Sequence, residues 1–389
     1  MIANGAEIIT TLLERQGVSV VAGIPGGANL PLYDALGRSR MRHVLTRHEQ
    51  GAGFIAQGMA RVTGRAGVCL GTSGPGATNL LTAIADARLD SVPLVAITGQ
   101  VPSALIGTDA FQEVDTYGLT VPITKHNYLV RRASELLSIV PEAFELAESG
   151  RPGPVVIDVP KDILLQEIEF EQWPEMQQRT APPEPNAAEV AALAQAIDAA
   201  ERPVLYAGGG VIASGAYDAL RRVAHKSSIP VTTTLPALGA IAADDLLSLG
   251  MLGMHGAQYT NRVLDEADLL IALGARFDDR ATGKLSEFCE HALLAHVDID
   301  PSEIDKLKPT NLSIVVDVGA TLRALLPRLG IWCGPVADGQ RSRMLLLLAE
   351  RRPLDQVVRQ LQKLQDVISV AAWPDTQEDL FQVPGCARG

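Results

Sequence analysis

Basic charge is scarce in this sequence: 33 Lys+Arg stand against 45 Asp+Glu, a formal charge of −12. That deficit excludes nucleic acid and anionic membrane surfaces as partners, since both recruit Lys/Arg-rich faces. Cysteine is equally sparse, with 4 in 389 residues. Cys69, Cys289, Cys333 and Cys386 form no CxxC pair and no metal-ligand spacing, which excludes a disulfide framework or a zinc site and predicts reduced thiols. Long apolar runs are missing too. The longest, Met344–Ala349, falls far short of the roughly 20 residues that span a bilayer. The N-terminus shows no basic start followed by an apolar stretch and a cleavage site, so the expected location is cytoplasmic. Aromatics make up only 4%, yet hydrophobic residues reach 47%, enough to bury the cores of two domains.

What is present alternates. Ala6, Ile9, Leu12 and Leu13 repeat at helical spacing up to Gly17, and the apolar run 18–22 then ends in Gly-Ile-Pro-Gly-Gly. Strand patterns recur at 43–46, 67–71, 92–98, 127–130 and 154–159, with helical stretches near 48–63, 76–88 and 134–149. Continuous apolar strands separated by helices predict a parallel sheet covered on both faces, an α/β fold. Residues 1–165 read as one such domain. Periodicity is lost and proline gained over 166–190, the expected linker. A second doubly wound unit is expected over 191–328: helix 188–200, strand 203–207 ending in Gly208-Gly209-Gly210, then strands at 231–235, 269–273, 295–299 and 314–318. Composition shifts near 330, beyond which acidic and basic residues balance. In this tail, 329–389, strands are expected at 344–348 and 367–370, around an apolar helical stripe of Leu354, Val357, Val358, Leu361 and Leu364.

Two motifs stand where a parallel sheet presents its ligand-facing loops. Arg47-His48-Glu49-Gln50-Gly51 follows one strand; Gly71-Thr72-Ser73-Gly74-Pro75-Gly76-Ala77-Thr78-Asn79 follows another and opens a helix, so its amides can approach a diphosphate or a heteroaromatic ring. Taken alone, Glu49 reads as a helix-start carboxylate favoured by the positive end of the dipole, and a lone glycine loop is weak evidence.

In combination the motifs are specific. Gly-Ile-Pro-Gly-Gly at 23–27, Arg-His-Glu-Gln-Gly at 47–51, Thr-Ser-Gly-Pro-Gly-Ala-Thr-Asn at 72–79, Thr-Gly-Gln-Val at 98–101 and Gly-Thr-Asp-Ala-Phe-Gln-Glu at 107–113 occur in this order. Further blocks follow at Lys125-His126, 149–154, 249–256, 274–280 and 296–301. Over about residues 1–327 the chain resembles the acetolactate synthase (acetohydroxyacid synthase) large subunits. That resemblance implies a thiamine-diphosphate carboligase of branched-chain (valine and isoleucine) biosynthesis, joining a two-carbon unit from pyruvate to a second 2-ketoacid. It makes Glu49 the carboxylate that hydrogen-bonds the cofactor's aminopyrimidine ring. Ile24, Pro25, Gly26, Thr72, Pro75, Asn79 and Gln112 would surround the cofactor, while Gly27, Phe111 and Lys125 would line the substrate channel. On residue type alone, Lys125 reads equally as a solvated cation and Phe111 as a core aromatic.

By the same resemblance the second domain binds FAD in a structural role. Glycines 208–210 would admit the dinucleotide, and Arg151, Met254, His255, Gly274, Arg276, Asp278, Arg280, Asp298, Ile299, Asp317 and Val318 match flavin-contacting positions. Arg276 and Arg280 can offer forked donors to phosphate, and Asp298 and Asp317 are expected to end strands where ribose or adenine is held. A complete family member continues into a third α/β domain whose Gly-Asp-Gly motif and Asn segment hold Mg2+ and the diphosphate; neither occurs in this sequence, so only a thiamine-diphosphate half-site and no metal ligands are expected. Residues 330–370 instead resemble part of the ACT domain (ferredoxin-like) of the small regulatory subunit. The expectation is a chain inactive alone, forming a homo-oligomer, for instance a dimer, or associating with full-length large or small subunits. The other reading is a non-catalytic regulatory protein that binds those subunits.

Overall fold

The computed structural model describes residues 1–175 and 181–329 in full and, beyond them, the backbone of 333–335 and 342–344. The chain divides into two units, Met1–Leu329 and Gly330–Gly389. The first of these holds two six-stranded parallel sheets.

The N-terminal half opens with a short strand, β1 (Ile2–Asn4), and then builds β2 (Val20–Gly23), β3 (Arg42–Leu45), β4 (Gly67–Gly71), β5 (Leu94–Gln100), β6 (His126–Leu129) and β7 (Pro154–Pro160). These six lie parallel in the order β3-β2-β4-β5-β7-β6. Every residue of β4, β5 and β7 is buried, the pattern of strands covered on both faces. On one face the helix Gly5–Arg15 contributes Ile8, Ile9, Leu12 and Leu13 to the core. On the other, the helix Glu49–Thr63 lays Ala52, Ala56 and Ala60 against β4. A Cβ on Gly67 would lie 2.0 Å from the Ala56 carbonyl oxygen, and one on Gly53 would lie 2.4 Å from Ala83 Cβ. Small residues thus let the helix Glu49–Thr63 sit tightly on both the sheet and the helix Pro75–Leu89.

The expected linker begins later than its composition predicts. Glu167–Glu169 forms β8, antiparallel to β1, and Gln166 Oε1 accepts the Ala133 amide at 2.7 Å. The helix Ala187–Ala199 closes the segment at its far end.

The second sheet contains β9 (Pro203–Ala207), β10 (Val231–Thr233), β11 (Ser248–Met251), β12 (Leu269–Leu273), β13 (Leu293–Asp298) and β14 (Leu312–Val315), parallel in the order β11-β10-β9-β12-β13-β14. This is the doubly wound order, which places a ligand crevice where the winding reverses, between β9 and β12. The last strand ends at Val315, short of the expected 318, because Asp317 starts a helix. Among the described residues no helix is long and apolar enough to cross a membrane.

In the second unit Cys333–Pro335 and Ser342–Met344 pair antiparallel. The expected helical stripe 354–364 and strand 367–370, and most of the strand 344–348, lie outside the described residues.

Candidate functional site

Winding in the first sheet reverses between β2 and β4, and there the carboxyl ends of β2, β3 and β4 bring the glycine loops and Glu49 together. His48 caps the helix that Glu49 opens, its Nδ1 accepting the Gln50 amide at 3.2 Å. Glu49 is only 8% exposed. Asn79, on the helix Pro75–Leu89, donates from Nδ2 to Glu49 Oε2 at 2.9 Å. The other oxygen, Oε1, faces Gly76, where a Cβ would come to 3.4 Å of it. One lobe of the carboxylate is therefore held and the other borders a position kept bare of a side chain. Beneath it, burial and the neighbouring Glu49 charge hold the Tyr33 phenol far above its ordinary pKa.

The loop after β2 is shaped from within. Gly26 donates to Asn29 Oδ1 at 2.7 Å, and Asn29 Nδ2 donates to the Ile24 carbonyl at 3.4 Å. Thr72 Oγ1 accepts the Ala28 amide at 3.4 Å, and a Cβ on Gly26 would meet the Thr72 side chain at 2.6 Å. Thr72 and Gly26 thus lock one glycine loop against the other, while Pro25, Gly27 and Pro75 stay exposed at the rim. Gln112 joins this group through its backbone, which lies so close to Gly74 that a Cβ there would be 2.6 Å from the Gln112 carbonyl oxygen. Gln112 adopts φ +60°, a left-handed conformation that a non-glycine residue keeps only where its surroundings impose it. Phe111 beside it is 88% exposed, so it is no core aromatic.

Lys125 lies elsewhere. It precedes β6, its amide bonding the Pro154 carbonyl, and so sits at the amino edge of the sheet, opposite Glu49. Its Nζ donates to the carbonyls of Leu146 and Ser149, and burial lowers its pKa to about 8. Lys125, Arg88 and Arg151 line a cavity of about 330 Å³ completed by Ser149, Gly150, Ile299, Asp300 and Pro301. Arg151 spans the two sheets: Nη1 reaches Asp300 at 3.1 Å and Glu303 at 2.5 Å, and Nε donates to Ser91 Oγ at 2.7 Å. Glu303, which the sequence reading missed, also receives Lys306 at 3.0 Å.

At the β9/β12 reversal the glycines have a packing reason. A Cβ on Gly208 would stand 2.1 Å from the Gly274 carbonyl oxygen, and one on Gly210 would stand 2.6 Å from Gly274 Cα. Arg276 follows, half-buried. Arg280 Nη1 lies 3.4 Å from Met254 Sδ; Met254, His255 and Arg280 are exposed. Asp278 and Asp317 are spent as helix caps, Asp278 on the amides of Arg280 and Ala281 and Asp317 on that of Ala320 at 2.9 Å, with Val318 already helical. Asp298 does end its strand, beside the exposed Ile299, and burial raises its carboxyl to about 6. Arg276 follows β12 and Asp298 ends β13, so both stand on the β12 side of the crevice between β9 and β12. Among the described residues no group of three or more His, Cys, Asp or Glu is placed to hold a metal ion.

Both halves match thiamine-diphosphate enzymes. Residues 3–119 match the thiamine pyrophosphate enzyme N-terminal TPP binding domain, and residues 190–325 match the thiamine pyrophosphate enzyme central domain. The chain is 56% identical over 345 residues to the acetolactate synthase isozyme 1 large subunit of Escherichia coli (strain K12), covering 87% of this chain and 61% of that protein. It is 48% identical over 373 residues to the isozyme 2 large subunit of the same organism, 91% of this chain and 68% of that protein, and 52% identical over 329 residues to the acetolactate synthase of Mycobacterium bovis, 84% and 53%. The chain belongs to the acetolactate synthase large-subunit family, and spans a little over half to two thirds of the length of these relatives.

Proposed function

We propose that this chain supplies the ring-side half of a thiamine-diphosphate site, and a flavin-binding domain, to an acetolactate synthase that condenses pyruvate with a second 2-ketoacid. The observation that carries this reading is the buried Glu49 carboxylate, clamped on Oε2 by Asn79 and free on Oε1 toward Gly76. Thiamine diphosphate, when bound, supplies the nucleophilic carbon and the electron sink for decarboxylation. Glu49 Oε1 holds or accepts the proton of a ring nitrogen, and its sheltered position keeps water from competing for that hydrogen bond. Asn79 keeps the carboxylate turned toward the ring. Gly26, Gly74 and Gly76 keep the walls low, and Gln112 and Phe111 border the approach.

In the second domain, FAD is supported by the β9/β12 crevice: Arg276 would meet phosphate and Asp298 a ribose hydroxyl. Arg151 is already paired with Asp300 and Glu303, which favours a role in joining the two halves of the molecule. Leu30, Leu45, Phe54, Phe111, Tyr117, Leu119 and Val121 are exposed apolar side chains of the N-terminal half, which favours completion of the site by another polypeptide.

The test mixes this chain with a full-length large subunit whose own ring-side glutamate has been changed to glutamine, in the presence of thiamine diphosphate, Mg2+ and FAD. Acetolactate formation regained only in the mixture supports the shared site. Stable co-assembly without turnover would defeat it and favour the regulatory reading.

A further inference from the structure

We propose that Asp158 and Gln100 are positioning residues for the loop 107–114, fixing Gln112 and Phe111 through a buried hydrogen-bond relay that ends on the Val114 carbonyl. The relay crosses the centre of the first sheet, where β5 and β7 pair with Thr98 opposite Asp158. Thr98 Oγ1 donates to Asp158 Oδ1 at 2.6 Å, and Gln100 Nε2 donates to Asp158 Oδ2 at 3.0 Å. Gln100 Nε2 also donates to the Val114 carbonyl at 2.9 Å, while its Oε1 accepts the Val101 amide at 2.9 Å. Thr98, Gln100 and Asp158 are at most 3% exposed.

A carboxyl group inside a strand whose every residue is buried is costly unless its oxygens are hydrogen-bonded. Here both are. Every polar atom of the Gln100 amide is committed as well, so the amide plane has one orientation and reaches from the sheet to the loop.

The loop is internally ordered beyond that point. The Glu113 carboxylate accepts the amides of Gly107, of Thr108 at 3.2 Å and of Ala110 at 3.1 Å. The Thr116 amide shares the Val114 carbonyl at 2.8 Å. Residues 107–113 therefore form a pre-shaped cap, and Val114 is where the relay joins it to the sheet. Asp109 at φ +57° and Gln112 at φ +60° are conformations that persist only under such external support. That the cap borders a thiamine site rests on the reading in the preceding subsection; the relay itself does not.

The test is amide hydrogen exchange of the full chain, followed by mass spectrometry, in the wild type, Gln100→Met and Asp158→Asn. Gln100→Met cuts the tie to Val114 but leaves Asp158 with Thr98. Asn at 158 can still accept from Gln100 Nε2 while donating to Thr98 Oγ1. Gln100→Met is expected to speed exchange over 107–116 roughly two- to tenfold, the worth of one buried hydrogen bond, with β7 and the helix Pro75–Leu89 unchanged. Asp158→Asn is expected to keep wild-type exchange. Should Gln100→Met fail to fold, Gln100→Asn, too short to reach Val114, is expected to show the same local acceleration. Unchanged exchange over 107–116, or acceleration spread equally over β5 and β7, overturns the proposal. Thiamine-diphosphate titration of the same proteins separates the two readings. A loosened loop with unaltered binding would fault the site assignment and leave the relay standing.

Discussion

Asn79 Nδ2 lies 2.9 Å from Glu49 Oε2, a bond between the first residue of one helix and the fifth of its neighbour. The pair meets because Gly53 and Ala83 allow the two helices to cross at van der Waals contact, a crossing further tied by Gln57 Nε2 donating to the Ala83 carbonyl at 2.7 Å. The orientation of the carboxylate is thus a product of helix packing.

Changing Glu49 to glutamine is expected to leave the fold intact and to lower acetolactate formation in the complemented mixture on the order of 100-fold or more, the usual worth of a positioned proton-transfer group. Asn79→Ala is expected to act differently. It leaves a buried carboxylate oxygen unpartnered, costing about 1–3 kcal/mol of stability in urea denaturation. A Glu49→Gln mixture with undiminished turnover would remove Glu49 from the chemistry.

The glycines after β9 predict a sharp contrast between neighbours. A methyl on Gly208 would overlap the Gly274 carbonyl oxygen at 2.1 Å, whereas one on Gly209 meets only Pro236 Cβ at 3.3 Å. Gly208→Ala is expected to cost about 2 kcal/mol or more by overpacking against backbone, with Gly209→Ala well below that. Flavin content of the purified variants, read from visible absorbance, is expected to fall with Gly208→Ala. Equal stabilities for the two variants would show that the loops do not meet as described.

Much of this organisation was legible in the sequence. Apolar runs separated by helical spacing located β4, β9 and β12 at their observed bounds, and the glycine loops fell at strand ends because a parallel sheet has no other place for them. Strand order was not legible. The resemblance groups Lys125 with Gly27 and Phe111 along the substrate channel, yet β6 joins the sheet at its outer edge beside β7, and Lys125 comes to rest at the end away from Glu49. Asp278 and Asp317 match a motif, but each precedes a helix whose free amides it caps, a local competition that motif spacing does not reveal. Asp158 gives no signal in the sequence, because it stands in an apolar strand with nothing nearby in sequence to pair with it; its partners Thr98 and Gln100 come from β5.

Arg151 predicts a coupling between the two sheets. Its side chain is 17% exposed and that of Glu303 only 6%. Arg151→Met removes the shared cation from two carboxylates, though Lys306 still reaches Glu303. The expected loss is about 2–3 kcal/mol, near the low end for breaking a buried pair. Because the ion pair joins residues of different sheets, urea unfolding followed separately by probes in each half is expected to lose coincidence in the variant. Coincident transitions with unchanged midpoint would show that Arg151 does not couple them.

Asp158 predicts a stability profile with a definite sign. Burial raises its carboxyl from 3.8 to about 7, with the Asp115 charge adding to the rise and the donors Thr98 and Gln100 opposing it. Between roughly pH 4 and 7 the folded chain keeps a proton that the unfolded chain has released, so this group makes stability fall as pH rises through that window. Below pH 4 both states are protonated and the cost vanishes; above pH 7 it is complete. The Thr98 hydroxyl can reverse and accept, so the relay to Gln100 survives on either side. Asp158→Asn has no such titration. Its urea midpoint relative to wild type is therefore expected to climb from pH 4 to 7 and to level off above. Parallel profiles for the two proteins across that range would show that the Asp158 carboxyl is ionised throughout.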